Sequence, residues 1–403
     1  MATVKKVLKW LMISIVGLIV LISIGLLVTG NGYIFRGLQL TYLKGEKTAN
    51  IDDYIDFDNR IIDTSIPISW EKDTNFGAIS LTPELQNALD NDQTVAFAFI
   101  KDGKLLYESY WQGYSSESHT NSFSMAKTVT TMLYLKAVEE GIIADINEPI
   151  ITFLPEYAND KYAQNCTLAD LSGMTSGYDW LEDYYLPVNP TAKAYYGNDL
   201  VKHMTSRSFI EECGGHFVYS SGDTQLLGIA LTRALKPHGY TASSYLEEKF
   251  WKPLGMKNEG YWSLDGSKNI EKMYCCLNAN ELDFAKFGQL LLNGGEWQGE
   301  QLLSKEHVEW MVTPNEAAFD VGEPQIYGHS VWTDMDSPVP FYAMLGHLGQ
   351  RVLVLPEENA IIVRLGKQKG LPTPVAGFHL EPDLGLYVTE VKKIMDNLPA
   401  PAE

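Results

Sequence analysis

Several familiar chemistries are missing from this sequence. It contains no His-Glu-x-x-His pair, and its eight histidines are scattered singly. No metal site is therefore indicated. The Gly-x-Ser-x-Gly elbow of α/β-hydrolases is absent, as is any Gly-rich phosphate loop. No motif calls for a cofactor. Basic residues are in deficit: 31 Lys and Arg against 51 Asp and Glu leave a net charge of −20. Nucleic-acid binding rests on cationic contacts to phosphate, so that balance argues against a nucleic-acid partner. Cysteine is sparse. Cys166, Cys213, Cys275 and Cys276 lack the C-x-x-C spacing of zinc or redox sites. Four buried or half-buried thiols are the expectation, with a Cys166–Cys213 bridge left open by the sequence. Cys275 and Cys276 are adjacent, and a vicinal disulfide is uncommon.

One long hydrophobic run is present. Residues 10–29 contain no charged side chain, and twenty helical residues span about 30 Å, the thickness of a bilayer's hydrocarbon core. Lys5, Lys6 and Lys9 precede the run, and Arg36 is the only basic residue in the dozen positions after it. The positive-inside rule assigns residues 1–9 to the cytoplasm and the bulk of the chain to the extracytoplasmic side of the cell membrane. A cleaved signal peptide is the alternative. Its apolar core is shorter and ends in a small-x-small site, whereas Leu26-Leu27-Val28 runs directly into Thr29-Gly30-Asn31-Gly32. The reading taken is a single uncleaved span with the lipid bilayer as partner.

The remaining 45% apolar, 20% charged composition suits a globular protein. Residues 30–80 read as a juxtamembrane connector. Asp52, Asp53, Asp56 and Asp58 form an acidic run there, expected to be solvated. The globular domain is expected over 81–398. Thr82 and Pro83 suit the cap and first turn of a helix over 82–91. Residues 94–100 and 105–111 read as strands joined at Asp102-Gly103. Residues 124–140 read as a helix ended by Gly141. Helical patterns dominate 145–310. Strand signals return at 328–332, 342–345, 351–355 and 360–365, before a closing helix over 383–398. The expected fold is α/β of the α+β type: a central antiparallel sheet built from both ends of the domain, flanked by helices, with a mainly helical subdomain between.

Chemistry is concentrated in a Ser-x-x-Lys pair. Residues three apart share one helix face, so an ammonium can reach the hydroxyl. Serine needs such a neighbour to become nucleophilic, and a buried lysine with a depressed pKa can take its proton. The spacing occurs twice, at Ser69/Lys72 and at Ser124/Lys127. The first lies in a loop context after Pro67. The second opens a helix with Met125, Val129, Met132, Leu133 and Val138 on an apolar face. Alone, it reads equally well as an N-cap serine with a surface lysine.

Four segments shift that balance: Ser122-Phe123-Ser124-Met125-Ala126-Lys127, the run 168–177 ending in Thr175-Ser176-Gly177, Tyr219-Ser220-Ser221-Gly222-Asp223, and Gly346-His347-Leu348-Gly349-Gln350. In this order and spacing, the chain over about 90–395 resembles the serine β-lactamase and penicillin-binding-protein superfamily. It is most similar to the class C-like branch that includes carboxylesterases and 6-aminohexanoate-dimer hydrolases. The resemblance implies Ser124 as nucleophile. It implies Lys127 and Tyr219 as the base system, with Tyr219 either a tyrosinate or sharing a proton with Lys127. The N–H groups of Ser124 and Gln350 would form the oxyanion hole, and Ser221, His347 and Gly349 would line the substrate site. Ser221 stands where many relatives have asparagine, and His347 replaces a β-lactam-binding lysine. Both departures favour small-molecule or peptide esters and amides over β-lactams. A β-lactamase or DD-peptidase-like enzyme remains an alternative, as does a catalytically weak module that binds peptidoglycan or a partner. Outside these segments, residues 178–185 could wall an acyl pocket or pack as a loop. Trp332 is expected to be core rather than site, His329 to face the cleft or, at least as readily, to be structural, and Arg351 and Arg364 to serve packing or ion pairs on the sheet.

Overall fold

The computed structural model describes residues 2–266, 269–320, 322–370 and 375–399. A seven-stranded sheet forms its centre. Its order is Trp332–Asp334, Phe341–Gly346, Gln350–Leu355, Ala360–Gly366, Thr94–Lys101, Lys104–Tyr110 and Glu71–Lys72. Every neighbouring pair is antiparallel except the last. The two ends of the domain meet where Ala360–Gly366 pairs with Thr94–Lys101, with Arg364 opposite Phe97. The hairpin at Asp102-Gly103 forms as expected, with φ of 51° and 75°.

Both faces of the sheet are covered, which is why its central strands are nearly continuous apolar runs. Phe97, Phe99, Leu353, Leu355 and Ile362 face one side, under the helices Pro83–Asn91 and Pro382–Asp396. Ala98, Ile100, Val352, Val354, Ile361 and Val363 face the other, under the helices Met125–Glu139 and Glu281–Leu292. Thr82 caps its helix by accepting the Leu85 N–H at 3.2 Å. The helix Met125–Glu139 is followed by Gly141 at φ 69°. The strand expected at 328–332 begins later, at Trp332. Ser330 takes φ 60°, and Gly328 N–H bonds Val331 O at 2.9 Å, so the preceding residues form a turn.

The helical subdomain holds Leu168–Ser172, Pro190–Tyr196, Leu200–Thr205 and Ser221–Leu235. It also holds a sheet that the sequence pattern did not reveal, ordered Asn59–Ile62, Gly260–Ser263, Leu277–Ala279, Thr120–Asn121. Its first strand corrects the picture of residues 30–80 as a mere connector. Ile51 and Ile62 are fully buried, and Asn59–Ile62 pairs in register with Gly260–Ser263. Asp53 is buried as well, which corrects the solvated acidic run. Its carboxylate accepts the Tyr195 hydroxyl at 2.8 Å and the Asn121 side-chain amide at 3.4 Å.

The thiol expectation is also corrected. Cys166 pairs with Cys213, whose Cα atoms lie 5.2 Å apart, and Cys275 pairs with Cys276. Sequence cannot report that the Ala163–Asn165 turn and the 206–218 loop run side by side, as they do through Phe209 N–H and Asp160. At the N-terminus, the helix Ala2–Val28 is long and apolar enough to cross a bilayer, and its apolar window is not buried against the domain. A short helix, Tyr33–Leu40, follows and packs on Pro190–Tyr196.

If residues 31–80 belong to the folded unit, a chain starting at residue 31 unfolds in one cooperative transition. A chain starting at Leu81 loses Ile51, Asp53 and Ile62 and is expected to lose that transition. Thermal melts followed by circular dichroism distinguish the two.

Candidate active site

The site is built around a strained turn. Phe123 takes φ 45°, a left-handed conformation that costs a non-glycine residue about 1–2 kcal/mol. The surroundings hold it there. Asn121 Oδ1 accepts the Phe123 N–H at 2.9 Å, and the Asn121 N–H donates to Ile51 O at 2.8 Å. The Asn121 side-chain amide in turn donates to Tyr195 and Asp53. Ser124 follows at the cap of Met125–Glu139 and is the partly exposed residue in an otherwise buried run. Its N–H belongs to the first turn, where backbone donors find no acceptor within the helix.

Lys127 lies one turn on and is 1% exposed. All three ammonium hydrogens are directed: to Ser124 Oγ at 3.1 Å, Ser221 Oγ at 2.9 Å and Tyr274 O at 2.9 Å. Burial disfavours the ammonium and brings its pKa down to about 8, against the opposing charges of Glu182 and Asp223. At pH 7 about one amine in ten is then neutral, a state about 1.4 kcal/mol uphill. The surface-lysine reading of the pair is thereby overturned.

Ser221 lines the cavity beside Ser124. Its hydroxyl accepts from Lys127 and donates to Glu182 Oε1 at 2.7 Å. Glu182 is the main participant that sequence reasoning missed. Its carboxylate also accepts Ser221 N–H at 2.7 Å, Trp180 Nε1 at 2.8 Å and the Tyr184 hydroxyl at 2.7 Å. Tyr219 stands across from it, with its ring centroid 5.2 Å from Lys127 Nζ. The Tyr219 and Tyr184 side chains line the same cavity as Ser124. Burial, reinforced by the Glu182 charge, pushes the Tyr219 phenol well up, so its resting form is the neutral phenol rather than tyrosinate.

The turn Gly346–Gln350 closes another side. A Cβ on Gly346 would collide with Ser122 O, so this turn abuts the Ser124 turn directly. Leu348 and Gly349 adopt φ of 60° and 82°. Arg364, fully buried, holds them there by donating to Leu348 O at 3.1 Å and Gly349 O at 2.8 Å. The Gln350 side chain is buried, donating to His347 O at 3.0 Å and Gly366 O at 2.7 Å. Gly349 serves the turn's geometry through its positive φ. His347 sits among Phe123, Tyr184 and Tyr185, and burial lowers its pKa to about 3. It is a neutral aromatic wall.

Ser124 lies where two cavities meet. One, of about 400 Å³, is lined by Tyr219, Trp332, Arg351, Lys369 and Glu381. The other, of about 40 Å³, is lined by Ala49, Phe123, Tyr195 and Tyr274. Trp332 therefore borders the cleft, stacked 5.3 Å from Tyr219, contrary to the structural expectation. His329 is structural: it stacks on Trp310 and bonds Ser172 at 2.9 Å. Arg351 pairs with Asp383 at 3.1 Å and with Glu381. Tyr184 walls the cleft, whereas Tyr178 packs behind it on Met204. Ser69 and Lys72 are exposed and apart from the site. Among the described residues no cluster could hold a metal ion.

Residues 86–379 match the Beta-lactamase family. The chain belongs to that family. A 6-aminohexanoate-dimer hydrolase of Paenarthrobacter ureafaciens is 22% identical over 302 residues, covering 70% of this chain and 75% of the relative. A Bacillus anthracis structure provisionally assigned as a 6-aminohexanoate-dimer hydrolase has a TM-score of 0.71 at 23% identity, over 89% of this chain and 96% of its own. A family VIII carboxylesterase superposes with a TM-score of 0.57 at 16% identity, over 78% and 98% of the two chains. The protein is thus a serine hydrolase of the β-lactamase superfamily, related to amidohydrolases and esterases.

The Glu182 charge favours the Lys127 ammonium. Replacing it by the neutral amide in Glu182→Gln therefore lowers the lysine pKa. The acid limb of ester hydrolysis, expected near pH 8 in the native protein, should move down by about one unit. An amide also cannot accept from all four donors, so the melting temperature falls. A pH–rate profile and a thermal melt of the same variant check both.

Proposed function

We propose that this family member is a membrane-anchored serine hydrolase that forms an acyl-enzyme on Ser124 from ester or amide substrates. One observation carries the reading: the buried Lys127 amine, directed at Ser124 Oγ and held by Ser221 Oγ and Tyr274 O. A neutral amine has two N–H donors and one lone pair. With the two hydrogens retained by Ser221 and Tyr274, the lone pair faces the Ser124 hydroxyl. Lys127 is therefore the base in this mechanism.

Ser124 Oγ bonds the substrate carbonyl carbon as its proton passes to Lys127. The oxyanion is received by the N–H groups of Ser124 and Gln350, each such donor being worth about 3–4 kcal/mol in the transition state. The carbonyl–oxygen or carbonyl–nitrogen bond then breaks. The leaving alcohol or amine takes a proton from Tyr219, a neutral phenol that Lys127 can reprotonate. Water attacks the acyl-enzyme by the reverse relay, releasing the carboxylic acid and free Ser124. Tyr184 borders Ser124 and is held in place by its bond to Glu182.

Esters and simple amides suit this site better than β-lactams, because His347 is neutral and the Arg351 charge is already paired. The helix Ala2–Val28 supports the anchor. With Lys5, Lys6 and Lys9 inside, the hydrolase domain would lie on the extracytoplasmic face.

A fluorophosphonate probe is expected to label the protein, and Ser124→Ala to abolish the label. The same substitution should lower p-nitrophenyl ester turnover about 10⁴-fold or more. Labelling that persists in Ser124→Ala would overturn the assignment of the nucleophile.

A further inference from the structure

The short helix after the apolar span forms one wall of a third cavity, of about 200 Å³. Ile34 and Leu38 line it from that helix, and Tyr185, Leu186 and Pro187 line it from the loop after Glu182. It shares Thr48, Tyr184, Ala192 and Tyr196 with the small apolar cavity at Ser124. The two spaces are thus separated by a single layer of side chains. One member of that layer, Tyr184, lines the small cavity with Ser124 and donates to Glu182 at 2.7 Å.

The rim of this cavity is unusual for a surface in water. Leu38, Tyr42, Leu43, Tyr185, Leu186 and Val188 are all exposed, Leu43 to 81%. A continuous apolar rim on a soluble face marks a ligand or membrane contact. Its position favours the membrane. Four residues, 29–32, separate the apolar helix from the helix Tyr33–Leu40. Even fully extended, they reach at most about 17 Å. The rim is therefore tethered at the bilayer surface, and its tyrosines suit the headgroup layer. On the far side of Ser124, the 400 Å³ cavity is lined by Trp332, Leu345 and Leu380 as well as Arg351, Lys369 and Glu381, and has room for the leaving group.

We infer that the two apolar cavities form one channel, entered from the membrane surface, that receives the acyl chain of a membrane-partitioned ester or amide. This inference rests on the Ser124 acyl-enzyme reading and adds the substrate class. The acyl chain lies toward the helix Tyr33–Leu40, its carbonyl at Ser124 and its leaving group in the larger cavity. Tyr184 is the side chain that must yield for the chain to pass.

The test uses the full-length protein in lipid nanodiscs, with p-nitrophenyl acetate and p-nitrophenyl decanoate as probes. Wild type is expected to show a kcat/KM at least tenfold higher for decanoate than for acetate. Ile34→Trp and Leu186→Trp, which fill the outer cavity from opposite walls, are each expected to reduce that ratio at least tenfold. Acetate turnover in the same preparation reports that each variant is folded. A wild-type ratio at or below one, with acetate hydrolysed, overturns the channel and leaves the nucleophile assignment standing. A high ratio unchanged in both variants also overturns it, because the chain then binds elsewhere. Absence of both turnover and fluorophosphonate labelling overturns the acyl-enzyme reading and this inference with it.

Discussion

The burial of one ammonium group organises this molecule. Lys127 is enclosed between the helix that carries it, the Ser221 end of a second helix and the Tyr274 carbonyl. A buried charge is tolerated only when every hydrogen has an acceptor. Meeting that demand brings three distant stretches of chain together beside Ser124. The same burial lowers the lysine's pKa to about 8. A structural cost thus becomes a reactive property: the amine can give up its proton near neutral pH because its surroundings solvate the charge poorly. Glu182 moderates the effect. Its charge keeps the amine from becoming wholly neutral, and its bonds to Ser221 fix the hydroxyl that steadies Lys127.

A second constraint runs through the N-terminal segment. The Phe123 conformation is strained, and strained backbone persists only where its neighbours over-determine it. Here the chain of contacts passes from Phe123 N–H to Asn121, then to Tyr195 and Asp53. Burial raises the Asp53 carboxyl to about 6, offset in part by the Tyr195 bond, the Asn50 N–H and nearby Lys272. The segment that leaves the apolar helix thus reaches the nucleophile turn through three hydrogen-bonded side chains. Thr48 and Ala49, a few residues earlier, border the cavity at Ser124. The stretch of chain between the apolar helix and residue 80 thus supplies part of the wall of the site.

Local patterns made much of the fold legible. Strands 94–101 and 360–366 are apolar runs bounded by turn residues, and Thr82-Pro83 announces its helix. The Ser124/Lys127 pair was legible because it opens an amphipathic helix, which Ser69/Lys72 does not. What escaped was set by non-local contact. Glu182 lies in a segment with no periodic signal, and its role depends on Ser221, 39 residues away. Asp53 looked solvated because its acidic neighbours suggested water, whereas its partner Tyr195 is 142 residues distant. The paired cysteines depend on which loops run side by side, a fact about tertiary packing. Tyr219 was found by position, but its protonation state was not, since burial beside a carboxylate decides it.

The charge layout around the larger cavity bears on which substrates fit. Lys369 donates to Glu381 at 2.6 Å, and Arg351 bonds both Glu381 and Asp383. Each cation there is already committed to a carboxylate, and His347 carries no charge at neutral pH. An incoming anionic group would have to displace one of these pairs, leaving a carboxylate without its partner. Breaking the buried Arg351–Asp383 pair costs about 3–5 kcal/mol, whereas the more exposed Lys369–Glu381 pair costs about 1 kcal/mol or less. A neutral or cationic leaving group meets no such penalty and can approach Glu381, whose exposed edge faces the cavity. On the opposite side, neutral aromatic rings and Ala49 offer nothing to an ion and much to hydrocarbon. Ser124 stands between the two cavities, so a carbonyl placed there would send one substituent into each.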